Sequence, residues 1–136
     1  MARYVLDANV VVAWLLSRPL AEDFVGSLRT DDELIAPLLM LPECTSTLRS
    51  EVFAGRLGEG AATEFLSTLL SMPFQLVDSG EQFLGALRLA SRFRHRNAYD
   101  MQYLAVAELS EAELVTLDRG LRHAADEIGI PVRFLP

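Results

Sequence analysis

Short apolar runs rich in β-branched and aromatic residues alternate along the chain with stretches whose apolar positions recur at helical spacing. That alternation predicts right-handed βαβ crossovers and a central, mostly parallel sheet flanked by helices. Five strands are expected, at Arg3 to Leu6, Glu33 to Ala36, Phe74 to Val77, Glu113 to Leu117 and Val132 to Leu135. The first helix is expected from Asn9 through Leu16 with Asn9 as its cap, and Pro19 stops it and opens a second over Leu20 to Arg29. A third should run from Leu39 to Ala54, with Pro42 tolerable only in its first turn. Ala61 to Leu70 reads as a fourth. A fifth starts near Gly80, with Phe83, Leu84, Leu87, Ala90 and Phe93 as its expected buried face. Asn97 is placed to cap a sixth and to set Asp100 at its third position, and a last helix begins near Arg119. Trp14, Leu15 and Leu16 read first as core and second as a groove for a partner's helix.

A length of 136 residues, 51% of them hydrophobic, suits one core, so a single domain over residues 1–136 is expected. The longest apolar stretches, Val10 to Leu16 and Leu34 to Leu41, fall short of a membrane span. Met1-Ala2-Arg3 leads straight into a strand, and Asp7 interrupts the apolar run, a pattern unlike a signal peptide. Cys44 is the lone cysteine, so no internal disulfide forms and a reducing cytoplasm suits the chain.

The placement of four acids changes the picture. Asp7 sits directly behind Tyr4-Val5-Leu6 and Asp118 directly behind Leu114-Val115-Thr116-Leu117, so two carboxylates end two strands. Glu43 follows Pro42 at a helix start, and Asp100 lies where another helix begins. In a parallel sheet all four belong to the carboxyl edge, where ligands bind. Carboxylates gathered without basic neighbours repel one another, and a hard divalent cation with oxygen ligands relieves that repulsion. Taken singly, each has a plainer role: Glu43 and Asp100 as first-turn charges, Asp118 as a cap. Asp7, between Leu6 and an apolar helix, has no such role.

Net charge is −7, which argues against a simple phosphate-binding surface. Setting the four acids aside leaves 15 against 12 basic residues, a balance of −3. All 12 are Arg, and four crowd between Arg88 and Arg96, where they suit phosphate contact and a solvated helix end equally.

Val5-Leu6-Asp7-Ala8-Asn9, Pro42-Glu43, Ala98-Tyr99-Asp100 through Ala107, and Val115-Thr116-Leu117-Asp118 resemble the four acidic motifs of PIN-domain nucleases, and in length and order the VapC-type toxins of toxin–antitoxin pairs. That resemblance implies a three-layer PIN fold and Mg²⁺- or Mn²⁺-dependent endonucleolytic cleavage of RNA. It further implies a homodimer and a cognate VapB-type antitoxin. By motif matching, Asp7 and Asp100 are the leading metal ligands, with Asp118 and Glu43 coordinating directly or through water. Asn9 and Thr116 match polar positions that support the acids, although Asn9 as a cap and Thr116 as a β-branched strand residue serve equally well. A housekeeping RNA-processing nuclease and a noncatalytic binding module on the same fold are the alternatives. Receiver domains and haloacid-dehalogenase-type phosphatases also carry a strand-end Asp but rely on a Lys, and this chain has none.

Overall fold

The structure, a computed structural model, describes residues 1–135. Its elements run β1 (Arg3–Leu6), α1 (Ala8–Leu15), α2 (Pro19–Gly26), β2 (Glu33–Pro37), α3 (Met40–Phe53), α4 (Glu59–Ser71), β3 (Phe74–Val77), α5 (Gly80–Arg92), α6 (Tyr99–Ser110), β4 (Glu113–Thr116), α7 (Arg119–Glu127) and β5 (Val132–Phe134). The five strands form one parallel sheet in the order β3-β2-β1-β4-β5. The fold is the expected α/β three-layer arrangement. Right-handed crossovers put α1 to α4 on one face and α5 to α7 on the other, in keeping with contacts of α1 with α3 and of α6 with α7. Covered on both faces, the inner strands β1, β2 and β4 carry near-continuous apolar runs. No helix among the described residues is long and apolar enough to cross a membrane.

Helix α6 is the centre of the core. Met101, Tyr103, Leu104, Ala105, Val106 and Ala107 are all buried, because α6 lies between the sheet and α5 and has little solvent face. A Cβ on Gly85 of α5 would stand 3.3 Å from Ala105 Cβ, so the two helices approach closely. That closeness shifts the buried face of α5 away from Phe83, Leu84 and Leu87, although Ala90 is buried as expected and Phe93 packs partly buried against the core. Gln82, Ala86, Leu89 and Ala90 are its buried residues, while Phe83, Leu84 and Leu87 are exposed, because α6 packs against the side of the helix that carries Gly85. Buried Gln82 stays satisfied through a capping box with Ser79 and a 2.8 Å bond to Gln102.

Helix boundaries move as well. Asp7, not Asn9, occupies the N-cap position of α1, and α2 runs Pro19–Gly26, short of Arg29. Gly58 precedes α4, which begins at Glu59, two residues ahead of Ala61. Ala98 holds the N-cap position of α6, so Asp100 is its second residue; Asn97 instead accepts from the Tyr99 N–H at 3.3 Å. Leu15 is buried, and Trp14 and Leu16 are partly buried against the core, in line with the core reading of that segment.

Leu104 is fully buried and Leu84 is 71% exposed. Leu104→Ala is expected to cost about 2–5 kcal/mol of unfolding free energy and Leu84→Ala under about 0.5 kcal/mol, measured by urea denaturation. Equal costs would contradict this placement of α5.

Candidate active site

From β1 the chain winds outward through β2 and β3, then returns to lay β4 and β5 on the other side of β1. The switch point therefore falls between β1 and β4, and beyond their carboxyl ends the departing loops leave a crevice. Asp7 enters it directly from β1, its own N–H still bonded to Val115 O at 3.0 Å. Asp118 enters two residues beyond β4. Glu43 comes from the first turn of α3 on one face, Asp100 from the first turn of α6 on the other. The four predicted acids line one cleft of about 390 Å³.

Local bonds fix how each acid is held. The buried Thr116 hydroxyl donates to Asp7 Oδ2 at 2.8 Å and accepts from the Asp118 N–H at 3.0 Å, so one side chain ties both strand-end acids together. Asp118 Oδ1 accepts from Leu121 N–H at 2.9 Å, capping α7, so the plain role and the cleft position coexist. Asn9 Oδ1 accepts from Leu117 N–H at 3.2 Å, pinning the loop after β4 rather than capping α1. The Tyr103 hydroxyl donates to Glu43 Oε1 at 2.6 Å from the core side.

Electrostatics follow from burial and crowding. Burial lifts the Asp7 carboxyl from 3.8 to about 7; the Thr116 bond opposes the rise, and the charges of Asp100, Glu43 and Asp118 add to it. Glu43 is raised by burial first, against the Tyr103 bond and with the Asp100 charge. The Tyr103 hydroxyl is raised strongly by burial and by Glu43, so it stays a proton donor. Beneath the cleft, burial pushes the Cys44 thiol to about 12, with the Glu43 and Asp7 charges assisting; this thiol packs and does not react.

The donor set suits a hard cation. Among the described residues no arginine pairs with Asp7, Glu43, Asp100 or Asp118, and a dication would offset the burial and repulsion that keep Asp7 from ionising. Among the described residues no three His, Cys, Asp or Glu side chains stand close enough to enclose an ion by themselves.

The cleft also holds residues that the sequence pattern did not single out: Thr47 and Glu51, one and two turns beyond Glu43 on α3, and Arg18. The spacing 43, 47, 51 was available as a signal. Arg18 had none, since its position depends on the turn between α1 and α2. The Arg88 to Arg96 cluster does not line the cleft, nor do His95 and His123. Arg88 instead pairs with Glu108 at 2.9 Å.

Residues 4–127 match the PIN domain family, and the chain belongs to that family. It is similar in fold to a chain of the VapBC2 complex from Rickettsia felis, solved bound to a promoter DNA fragment (TM-score 0.73, 15% identity, covering 98% of this chain and 99% of that one). It is also similar to VapC20 of Mycobacterium tuberculosis, a sarcin-ricin loop cleaving toxin (TM-score 0.70, 16% identity, 89% and 94% covered). PAE2754 of Pyrobaculum aerophilum is similar at 26% identity (TM-score 0.69, 90% and 84% covered). A sequence comparison with curated proteins finds no match.

A carboxyl whose folded-state value is raised binds its proton more tightly folded than unfolded, so its stabilising contribution is full at low pH and lost as pH rises through the folded value. With chelator present, unfolding free energy is therefore expected to decline between pH 3.8 and about 7, by up to about 1.4 kcal/mol per pH interval of one. Asp7→Asn should flatten that decline and exceed the wild type in stability near neutral pH. A slope unchanged by the substitution, in parallel urea titrations, would remove Asp7 as its source.

Proposed function

We propose that the chain is a divalent-metal-dependent endoribonuclease that hydrolyses RNA phosphodiester bonds, with Mg²⁺ or Mn²⁺ as its cofactor, and that it is the toxin of a toxin–antitoxin pair. The observation that carries this reading is the convergence of Asp7, Glu43, Asp100 and Asp118 at the switch point of a PIN-family sheet. Such a cluster has little use as structure, because the burial of Asp7 among other acids opposes its ionisation.

Asp7 and Asp100 would hold the ion, and Asp118 and Glu43 would hold it directly or through water. A bound dication would lower the pKa of its water, orient it toward the phosphodiester and offset charge on the phosphoryl oxygens. Thr116 fixes the Asp7 carboxylate, and Tyr103 occupies Glu43 Oε1, which leaves Oε2 without a protein hydrogen bond among the described residues. A cleft carboxylate not engaged in holding the ion would take the proton of the attacking water. A VapB-type antitoxin is the proposed partner and a cytoplasmic homodimer the proposed form. End-to-end similarity to a chain of the VapBC2 complex supports the antitoxin partner.

With Mn²⁺ or Mg²⁺ the purified protein should cleave single-stranded or structured RNA, and chelator should abolish cleavage. Asp7→Asn and Asp100→Asn are expected to lower kcat/KM by about a hundredfold or more while leaving a folded chain by circular dichroism. Mn²⁺ at about a hundredfold over Kd should add roughly 2.7 kcal/mol to unfolding free energy, and less in Asp7→Asn. Undiminished cleavage by both variants would overturn the assignment.

A further inference from the structure

The acid cleft is lined by five carboxylates, the fifth being Glu51, and by a single cation, Arg18. Glu51, the acid whose charge feels Arg18, is already taken by Arg56, which grips it with Nε to Oε2 at 2.7 Å and a second nitrogen to Oε1 at 3.1 Å. Arg18 makes no side-chain hydrogen bond or salt bridge among the described residues, and its side chain is exposed. Its backbone, by contrast, is fixed. Ser17 adopts the left-handed conformation (φ 60°) that ends α1, the Ser17 N–H bonds Trp14 O at 2.9 Å, and the Arg18 N–H bonds Ala13 O at 2.8 Å. Pro19 then holds Arg18 extended, at ψ 132°. A cation fixed at Cα and free at its guanidinium is prepared for an anion that arrives from outside.

A second cavity, of about 520 Å³, opens on the other side of the same residues. Ala13 and Arg18 line both, and the rest of its wall is aliphatic: Pro19, Leu20, Ala21, Leu117 and Leu135. Leu20 is 47% exposed there, although it sits at the mouth of an apolar hollow. A chain that presents phosphates and flat apolar rings in alternation matches this succession of acid cleft, lone guanidinium and aliphatic hollow.

We propose that Arg18 and the adjoining hollow form a nucleotide subsite, in which Arg18 binds the phosphate next to the scissile one and the hollow receives the unstacked base attached to it. The subsite rests on the nuclease reading above and adds to it a determinant of strand position and base preference. Arg is suited to the role because its planar fork meets two phosphate oxygens at once. Single-stranded RNA is the occupant, since bases in a duplex are not free to leave the stack.

The test measures binding of a short, fluorescently labelled single-stranded RNA of random sequence by anisotropy, in an Asp100→Asn background so that the RNA is not consumed. Adding Arg18→Gln is expected to weaken binding about tenfold, and the slope of log affinity against log salt should shrink by about 0.7, the share of one phosphate on a single strand. Leu20→Gln, in the otherwise unaltered protein, should erase the base preference at one position beside the cut, read by sequencing cleavage products of a random pool. Arg18→Gln and Leu20→Gln, each made alone with Asp100 intact, should retain the Mn²⁺-induced rise in melting temperature.

Unchanged affinity and salt slope in Arg18→Gln would overturn the subsite, as would an unchanged cleavage profile in Leu20→Gln; the hollow would then serve a protein partner. Loss of the Mn²⁺ effect in Arg18→Gln would make Arg18 part of the metal site and equally overturn it. A wild-type protein that gains stability from Mn²⁺ yet binds no RNA would defeat the nuclease reading, and the subsite with it.

Discussion

The Thr116 hydroxyl joins Asp7 to the backbone of Asp118 across the boundary between β1 and β4, and the geometry of the cleft depends on that junction. Thr116 is fully buried at the last residue of β4, one register step from where β1 ends. A hydroxyl there has one proton to give and lone pairs to receive, and both capacities are used. Valine has nearly the same shape and would fill the volume, but it would leave the buried Asp7 carboxyl without its donor. The residue is thus chosen for its hydrogen bonding at a position where β propensity alone would accept several side chains.

Around that junction the fold supplies placement from two layers. Asp7 and Asp118 come from neighbouring strands, while Glu43 and Asp100 come from helices on opposite faces of the sheet. No single element carries more than one of the four. The cluster therefore exists only when β1 and β4 are paired and both helix layers are docked, which couples the site to global folding. Crowded carboxylates lower the stability of that folded state near neutral pH, and the buried apolar mass of α6 and the inner strands offsets the penalty.

The cleft is asymmetric in charge. Acids line it at the switch point, Glu51 is neutralised by Arg56, and Arg18, without a side-chain partner among the described residues, stands toward the α1–α2 turn. The Arg-rich segment that dominates the basic composition lies elsewhere, at the end of α5. Overall net charge thus says little about local recognition, because one correctly placed guanidinium beside an acid cluster creates a field that the sum of charges hides.

Strand positions, the parallel sheet and the four acids were legible from the sequence because each has a local cause. A strand covered on both faces must be apolar, and an acid immediately behind it can only emerge at the carboxyl edge. The exposed face of α5, the cap of α1, the Thr116 bridge and the position of Arg18 were decided by tertiary structure. Helical spacing picked out Phe83, Leu84 and Leu87 on α5, and only the close approach of Gly85 to Ala105 shows that Gln82, Ala86 and Leu89 are the residues buried instead. Asn9 has a cap's chemistry, yet its carbonyl meets Leu117, a partner 108 residues away that no local pattern announces. Arg18 reads as an ordinary residue before a proline, and only the folded turn, with Ser17 left-handed and the helix ended, carries it to the edge of the cleft. Local sequence fixes what each segment can present, and the packing of segments distant in sequence fixes what it meets.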